Sequence, residues 1–167
     1  MLLLEQDRSR WDRMPIRRGR AALERAGSLG GARGPYALQA AIAACHARAV
    51  TAADTDWHRI AALYDALAQV APSPVVELNR AVAVGMAFGP EQGLLIVDAL
   101  RDEPALKGYQ WLPSARADLL AKLGRSQEAR AEFEKAAALA GNARERELLL
   151  RRASEIAQAS LESGAGS

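Results

Sequence analysis

The sequence predicts an all-α fold of stacked helical hairpins, with seven to nine helices. Three observations predict it. Apolar residues recur at helical spacing from segment to segment, and no segment reads as a strand. Half of the residues are hydrophobic but only 5% are aromatic, and alanine leads the apolar set. Alanine is the best helix former and lets helices approach closely. The third observation is a repeat. Tyr64, Val97 and Phe133, each a larger apolar plug among small residues, come into register 33 and 36 residues apart.

That period is the signature of a tetratricopeptide-like helical repeat, whose units stack through small-residue contacts and present a groove. The expectation is a binding module rather than an enzyme. The length suits a single helical-repeat domain over residues 1–162, with 163–167 as a frayed tail.

The elements follow in order. Residues 8–29 read as helix, interrupted at Met14-Pro15 because proline clashes with the preceding turn. Gly30, Gly31 and Gly34 break the chain, and Pro35 opens the next helix at its first position, where a missing amide hydrogen costs nothing. That helix carries Leu38, Ala41, Ile42, Cys45 and Ala49 as its stripe, with Cys45 read as a buried inert thiol. His46 beside it is expected against a neighbouring helix. Thr55 is expected to cap a helix running to about Val70, with Trp57, Ile60, Ala61, Tyr64, Leu67 and Ala68 inward. Pro72-Ser73-Pro74 stops that helix and starts another, with Ser73 as cap. Val75, Leu78, Val82 and Met86 mark its buried side, interrupted by Asn79 and Arg80. Gly89-Pro90 makes a further corner, followed by Leu94, Val97 and Leu100 inward. Arg101–Tyr109 reads as irregular, with Pro104 and Gly108 as breakers. The clearest hairpin then begins near Leu112. Ala115, Leu119 and Leu123 lie on one helix, the turn falls at Gly124-Arg125, and Ala129, Phe133, Ala136 and Ala137 lie on its partner. Asn142 and Glu145 form a capping box for the last helix, which carries Leu148, Leu149, Arg152 and Ile156.

Composition narrows the function. The chain has 22 basic and 20 acidic residues, a net charge of only +2. Its densest basic run (Arg8, Arg10, Arg13, Arg17, Arg18, Arg20) is interrupted by Asp7 and Asp12 and lacks alternating aromatic platforms, so no direct DNA binding is expected. One cysteine makes no internal disulfide, and neither a leader nor a spanning apolar run is read, so a cytoplasmic location without membrane contact is expected. Two histidines, Cys45 and scattered carboxylates offer no metal spacing, and no cofactor is expected. No nucleophile elbow, phosphate-cradling loop or zinc-protease helix is found, so catalysis is not expected. Asp54 and Asp56 sit at a helix start, where capping accounts for them. Candidates for recognition are polar residues embedded in apolar helices: Gln39, His46, Asn79, Arg80, Arg116 and Asp118. Each also reads as an internal bond between adjacent helices, Arg116 with the neighbourhood of Asp118 or with Asn79.

Several strings carry a resemblance: DRSRWDR at 7–13, GPYALQAAIAACHA at 34–47 and DTDWHRIAALYDAL at 54–67, then PSPVVELNRAVAV at 72–84, ARADLLAKLGR at 115–125 and EARAEFEKAAALAGNARER at 128–146. Together they resemble the C-terminal tetratricopeptide-like region of extracytoplasmic-function RNA polymerase sigma factors with a C-terminal extension. The resemblance implies a non-catalytic interaction region that regulates transcription initiation. Its implied partners are the N-terminal sigma domains of the same protein and RNA polymerase. Neither promoter-binding domain of that family is matched within these residues. Arg8, Arg10, Trp11 and Arg13, nearest the expected linker, are the residues implied for the contact. A free-standing peptide-binding adaptor and a small-molecule sensor are the alternative functions, and the oligomeric state stays open.

Overall fold

Proline, glycine and cap residues set where the helices begin and end. The structure, a computed structural model, describes residues 34–49 and 52–166. Seven helices follow one another: α1 (Pro35–Arg48), α2 (Trp57–Val70), α3 (Pro74–Phe88), α4 (Pro90–Ala99), α5 (Trp111–Lys122), α6 (Ser126–Leu139) and α7 (Ala143–Ala165). Two 3-10 turns, Ala52–Asp54 and Pro104–Leu106, lie between them, and no strand occurs among the described residues. Consecutive helices stack as antiparallel pairs among α1–α3 and among α4–α7, the arrangement of tetratricopeptide-like hairpin repeats. None of these helices is long and apolar enough to cross a membrane. The helix expected over 8–29 lies outside the described residues.

Local chemistry explains most boundaries. Pro35 and Pro90 open α1 and α4 behind Gly34 and Gly89. Gly89 has φ +117°, ψ 152°, a conformation that only glycine adopts readily. Ser73 Oγ accepts from the Val76 amide at 3.1 Å ahead of Pro74, as its sequence position predicts. The cap of α2 is a correction. Asp56, not Thr55, accepts from the Arg59 amide at 3.2 Å. A carboxylate there also answers the positive end of the helix dipole, which a hydroxyl does less well. α5 ends in a Schellman motif. The Arg125 amide donates to the Leu120 carbonyl at 3.0 Å, the Gly124 amide donates to Ala121 at 3.1 Å, and Gly124 takes φ +76°. α7 runs to Ala165, through part of the tail expected to fray.

The chain divides into two compact units meeting in sequence at Phe88–Gly89. In the first, α2 packs against both α1 and α3. Leu38, Ile42 and Cys45 of α1 meet Trp57, Ile60, Tyr64 and Leu67 of α2, and Ala83 comes from α3. Val75 departs from its expected inward position and is 41% exposed. Leu78, Ala81, Ala83 and Gly85 of α3 are buried, and α3 meets the cluster of α1 and α2 through Ala83, with Val76, Val84, Met86 and Ala87 packed against it. In the second unit α5 lies between α4 and α6, and α6 packs in turn on α7. Its core gathers Ala117, Phe133, Ala136, Ala137, Leu149 and Ala153. Phe133 is fully buried, with the Arg152 guanidinium 4.6 Å above its ring centroid.

Candidate functional site

The second unit is organised by one helix that has no solvent face through its middle. Residues 113–120 of α5 are buried without a break, Arg116 and Asp118 among them. A helix packed on several sides must be apolar or must pair its polar groups, because a lone buried charge is expensive. Arg116 and Asp118 are two residues apart, so they point to nearly opposite sides of the helix. Each finds its partner there.

Arg116, 7% exposed, reaches two helices at once. Its Nε donates to Asp98 Oδ1 of α4 at 2.9 Å, and its Nη1 lies 3.1 Å from Glu132 Oε1 of α6. Glu128 stands further off at 3.9 Å and is held by Arg125 through two bonds, at 2.7 and 2.9 Å. Glu132 is also 7% exposed, and Lys135 shares its Oε1 at 3.1 Å. One guanidinium thus clasps the helices before and after its own.

Asp118 points the other way and accepts from Arg152 Nη2 of α7. Burial pushes the Asp118 carboxyl up, to about 7, with Lys122 opposing. The same burial lowers Arg152, with Glu155 opposing. The pair is joined by geometry while desolvation disfavours both of its charges. A third polar residue completes the set. Gln110 donates from Nε2 to Glu145 Oε2 at 3.0 Å and accepts from the Gly141 amide at 3.2 Å. The Asn142–Glu145 capping box is therefore half made. Asn142 Oδ1 accepts from the Glu145 amide at 2.8 Å, while the Glu145 carboxylate serves Gln110.

The other sequence-derived candidates fall elsewhere. Gln39 is exposed on α1, beside Tyr36, which is 77% exposed and was not singled out by the sequence. His46 meets Trp57, the first residue of α2, edge to face at 5.5 Å between centroids. Arg80 pairs with Glu77 of its own helix through two 3.1 Å bonds rather than across helices, and Asn79 is half-buried beside it. Arg116 finds its partners on α4 and α6 rather than near Asp118. Cys45 is buried, and burial raises its thiol above the ordinary range. Arg8, Arg10, Trp11 and Arg13 lie outside the described residues. Among those described, no three His, Cys, Asp or Glu side chains come together as metal ligands. The sequence missed Asp98, Gln110 and Glu132, and placed Arg152 on the last helix without giving it a partner.

The chain is similar to an uncharacterized protein of Rhizobium meliloti (strain 1021). The two are 48% identical over 145 residues, covering 87% of this chain and 34% of that protein. The chain therefore spans about a third of the length of the relative it matches. No family model matches the sequence, and no solved structure matches it.

Proposed function

We propose that this chain is a non-catalytic protein-interaction region of an extracytoplasmic-function sigma factor, acting in the cytoplasm by contacting the sigma domains of its own protein or RNA polymerase. The observation that carries the interaction reading is the way α5 uses its buried charges. Arg116 and Asp118 are spent on fixing α4, α6 and α7 around one helix. Such bonds fix which helices lie beside one another in a stack of hairpins, the form in which helical repeats present side chains to partners. The sigma-factor reading rests on the motif strings at 7–13, 34–47, 54–67 and 72–84. The match to a third of a longer protein supports it, because that protein has room for further domains.

The test is calorimetric titration of the 167-residue chain into the purified part of the Rhizobium meliloti relative that lies outside the match. Saturable one-to-one binding is expected. The double variant Arg10→Glu/Arg13→Glu should weaken it at least tenfold with unchanged helicity by circular dichroism. No heat of binding at roughly 100 μM, a concentration that detects even weak complexes, would overturn the reading. Equal affinity of the double variant would displace the contact from the arginine segment.

A further inference from the structure

The seam between α5 and α7 is polar where a permanent contact would be apolar. Gln110, Ser114 and Asp118 follow one another at four-residue spacing, so they lie along one side of α5. All three are buried. Gln110 reaches Glu145 of α7 and Asp118 reaches Arg152, one at each end of the row. Ser114 stands between them, and its Oγ has no hydrogen-bond partner among the described residues.

Closing this seam disfavours the groups in it. A buried hydroxyl without a partner has lost its bonds to water and gained none. Burial likewise opposes the charge on Asp118 and on Arg152. Such a pair fixes where a helix lies but is a weak source of stability. The apolar contribution is small. Of the 23 residues of α7, only Leu149 and Ala153 are fully buried, with Ile156 partly so, against Phe133, Ala136 and Ala137 of α6. Every polar group of the seam is one that water solvates well once the helices part.

We propose that α7 is a reversible cover, which leaves α5 and α6 as a unit while α4, α5 and α6 stay folded, and returns to one register set by Glu145 and Arg152. Opening wets Gln110, Ser114 and Asp118 and bares the face of α6 around Phe133, over which Arg152 lies in the closed state. Residues 140–142, between α6 and α7, are the hinge. The Gly141 amide there donates to Gln110 of the same polar row, so the hinge and the seam release together.

Amide hydrogen exchange of the full chain, followed by NMR across a urea series below the unfolding transition, tests the cover. Once undocked, α7 has lost the packing that sustains most protein helices, so its amides exchange. Those of residues 147–156 should exchange about tenfold or more faster than the slowest of α5 and α6. Their urea dependence should be shallower, as for an opening that exposes little surface. Ser114→Ala removes the orphaned hydroxyl and should slow the exchange of α7 about threefold or more. Amides of α7 that share the rates and the urea slope of α5 and α6 would show that the helix leaves only in global unfolding. A Ser114→Ala chain whose α7 exchange is unchanged or faster would show that the closed seam satisfies the hydroxyl. Either result overturns the proposal.

Discussion

At the scale of single residues, the second unit depends on two charges that could not stand alone. Replacing Arg116 with alanine leaves Glu132 buried with only the exposed Lys135 to meet it. Breaking a buried pair from one side costs about 3 kcal/mol or more, and urea unfolding followed by tryptophan fluorescence should show it. Arg116→Met with Glu132→Leu should recover most of the loss, because no charge is then stranded. Asp118 gives a pH signature. With its folded carboxyl at about 7 and an unfolded value near 3.9, the folded state keeps a proton that the unfolded chain releases. Stability therefore falls as pH rises between those values, and the penalty is complete above the folded one. Asp118→Asn should flatten that dependence, matching the parent near pH 3 and exceeding it by a growing margin up to about pH 8. A variant weaker than the parent at pH 8 would mean that the Arg152 ion pair outweighs burial. The sequence marked Arg116 and Asp118 as polar interruptions but not their partners. Asp98 and Arg152 lie 18 and 34 residues away, on helices whose rotation no local spacing fixes.

At the scale of elements, most of the fold was legible because the signals that bound a helix are local. Pro35, Ser73-Pro74, Gly89-Pro90, Gly124 and Asn142 each act within one turn of themselves, and each sits where its chemistry predicts. Faces were harder to read. Val75 was expected inward because large apolar residues usually trace the buried side, yet α3 meets the cluster of α1 and α2 through the neighbouring Val76 and through Ala83, Val84, Met86 and Ala87. Two substitutions test the boundaries. Asn142→Ala removes the only side-chain cap on α7, since Glu145 is committed to Gln110, and should cost about 1 kcal/mol. Gly124→Ala meets no atom within 4 Å, so its whole cost is the positive φ, about 1–2 kcal/mol. Gly124→Asn should recover part of it. Thermal melting of the three variants checks both expectations, and a Gly124→Ala protein as stable as the parent would mean that the turn has rearranged.

At the scale of the whole molecule, the sequence placed α5 in its clearest hairpin but did not show that this helix organises the second unit. A helix with one wet face announces itself by periodicity, whereas α5 is buried for eight consecutive residues and its pattern blurs. Its environment comes from α4, α6 and α7 together, and all three lie within residues 89–167. The unit thus contains its own apolar cluster, its own clasp and the cap of its last helix. We predict that residues 89–167 fold in isolation with a cooperative urea transition. Stability should be modest, since a core in a chain of about 80 residues rarely supplies more than ~3–5 kcal/mol. Phe133→Ala empties the centre of that core at a cost of about 3–5 kcal/mol, the same size as the whole. The variant fragment should therefore be unfolded at room temperature where the parent fragment is helical by circular dichroism. A parent fragment that lacks a cooperative transition would show that the unit depends on residues before Gly89, while a Phe133→Ala fragment that stays folded would place its stability in the charged clasp rather than the apolar cluster.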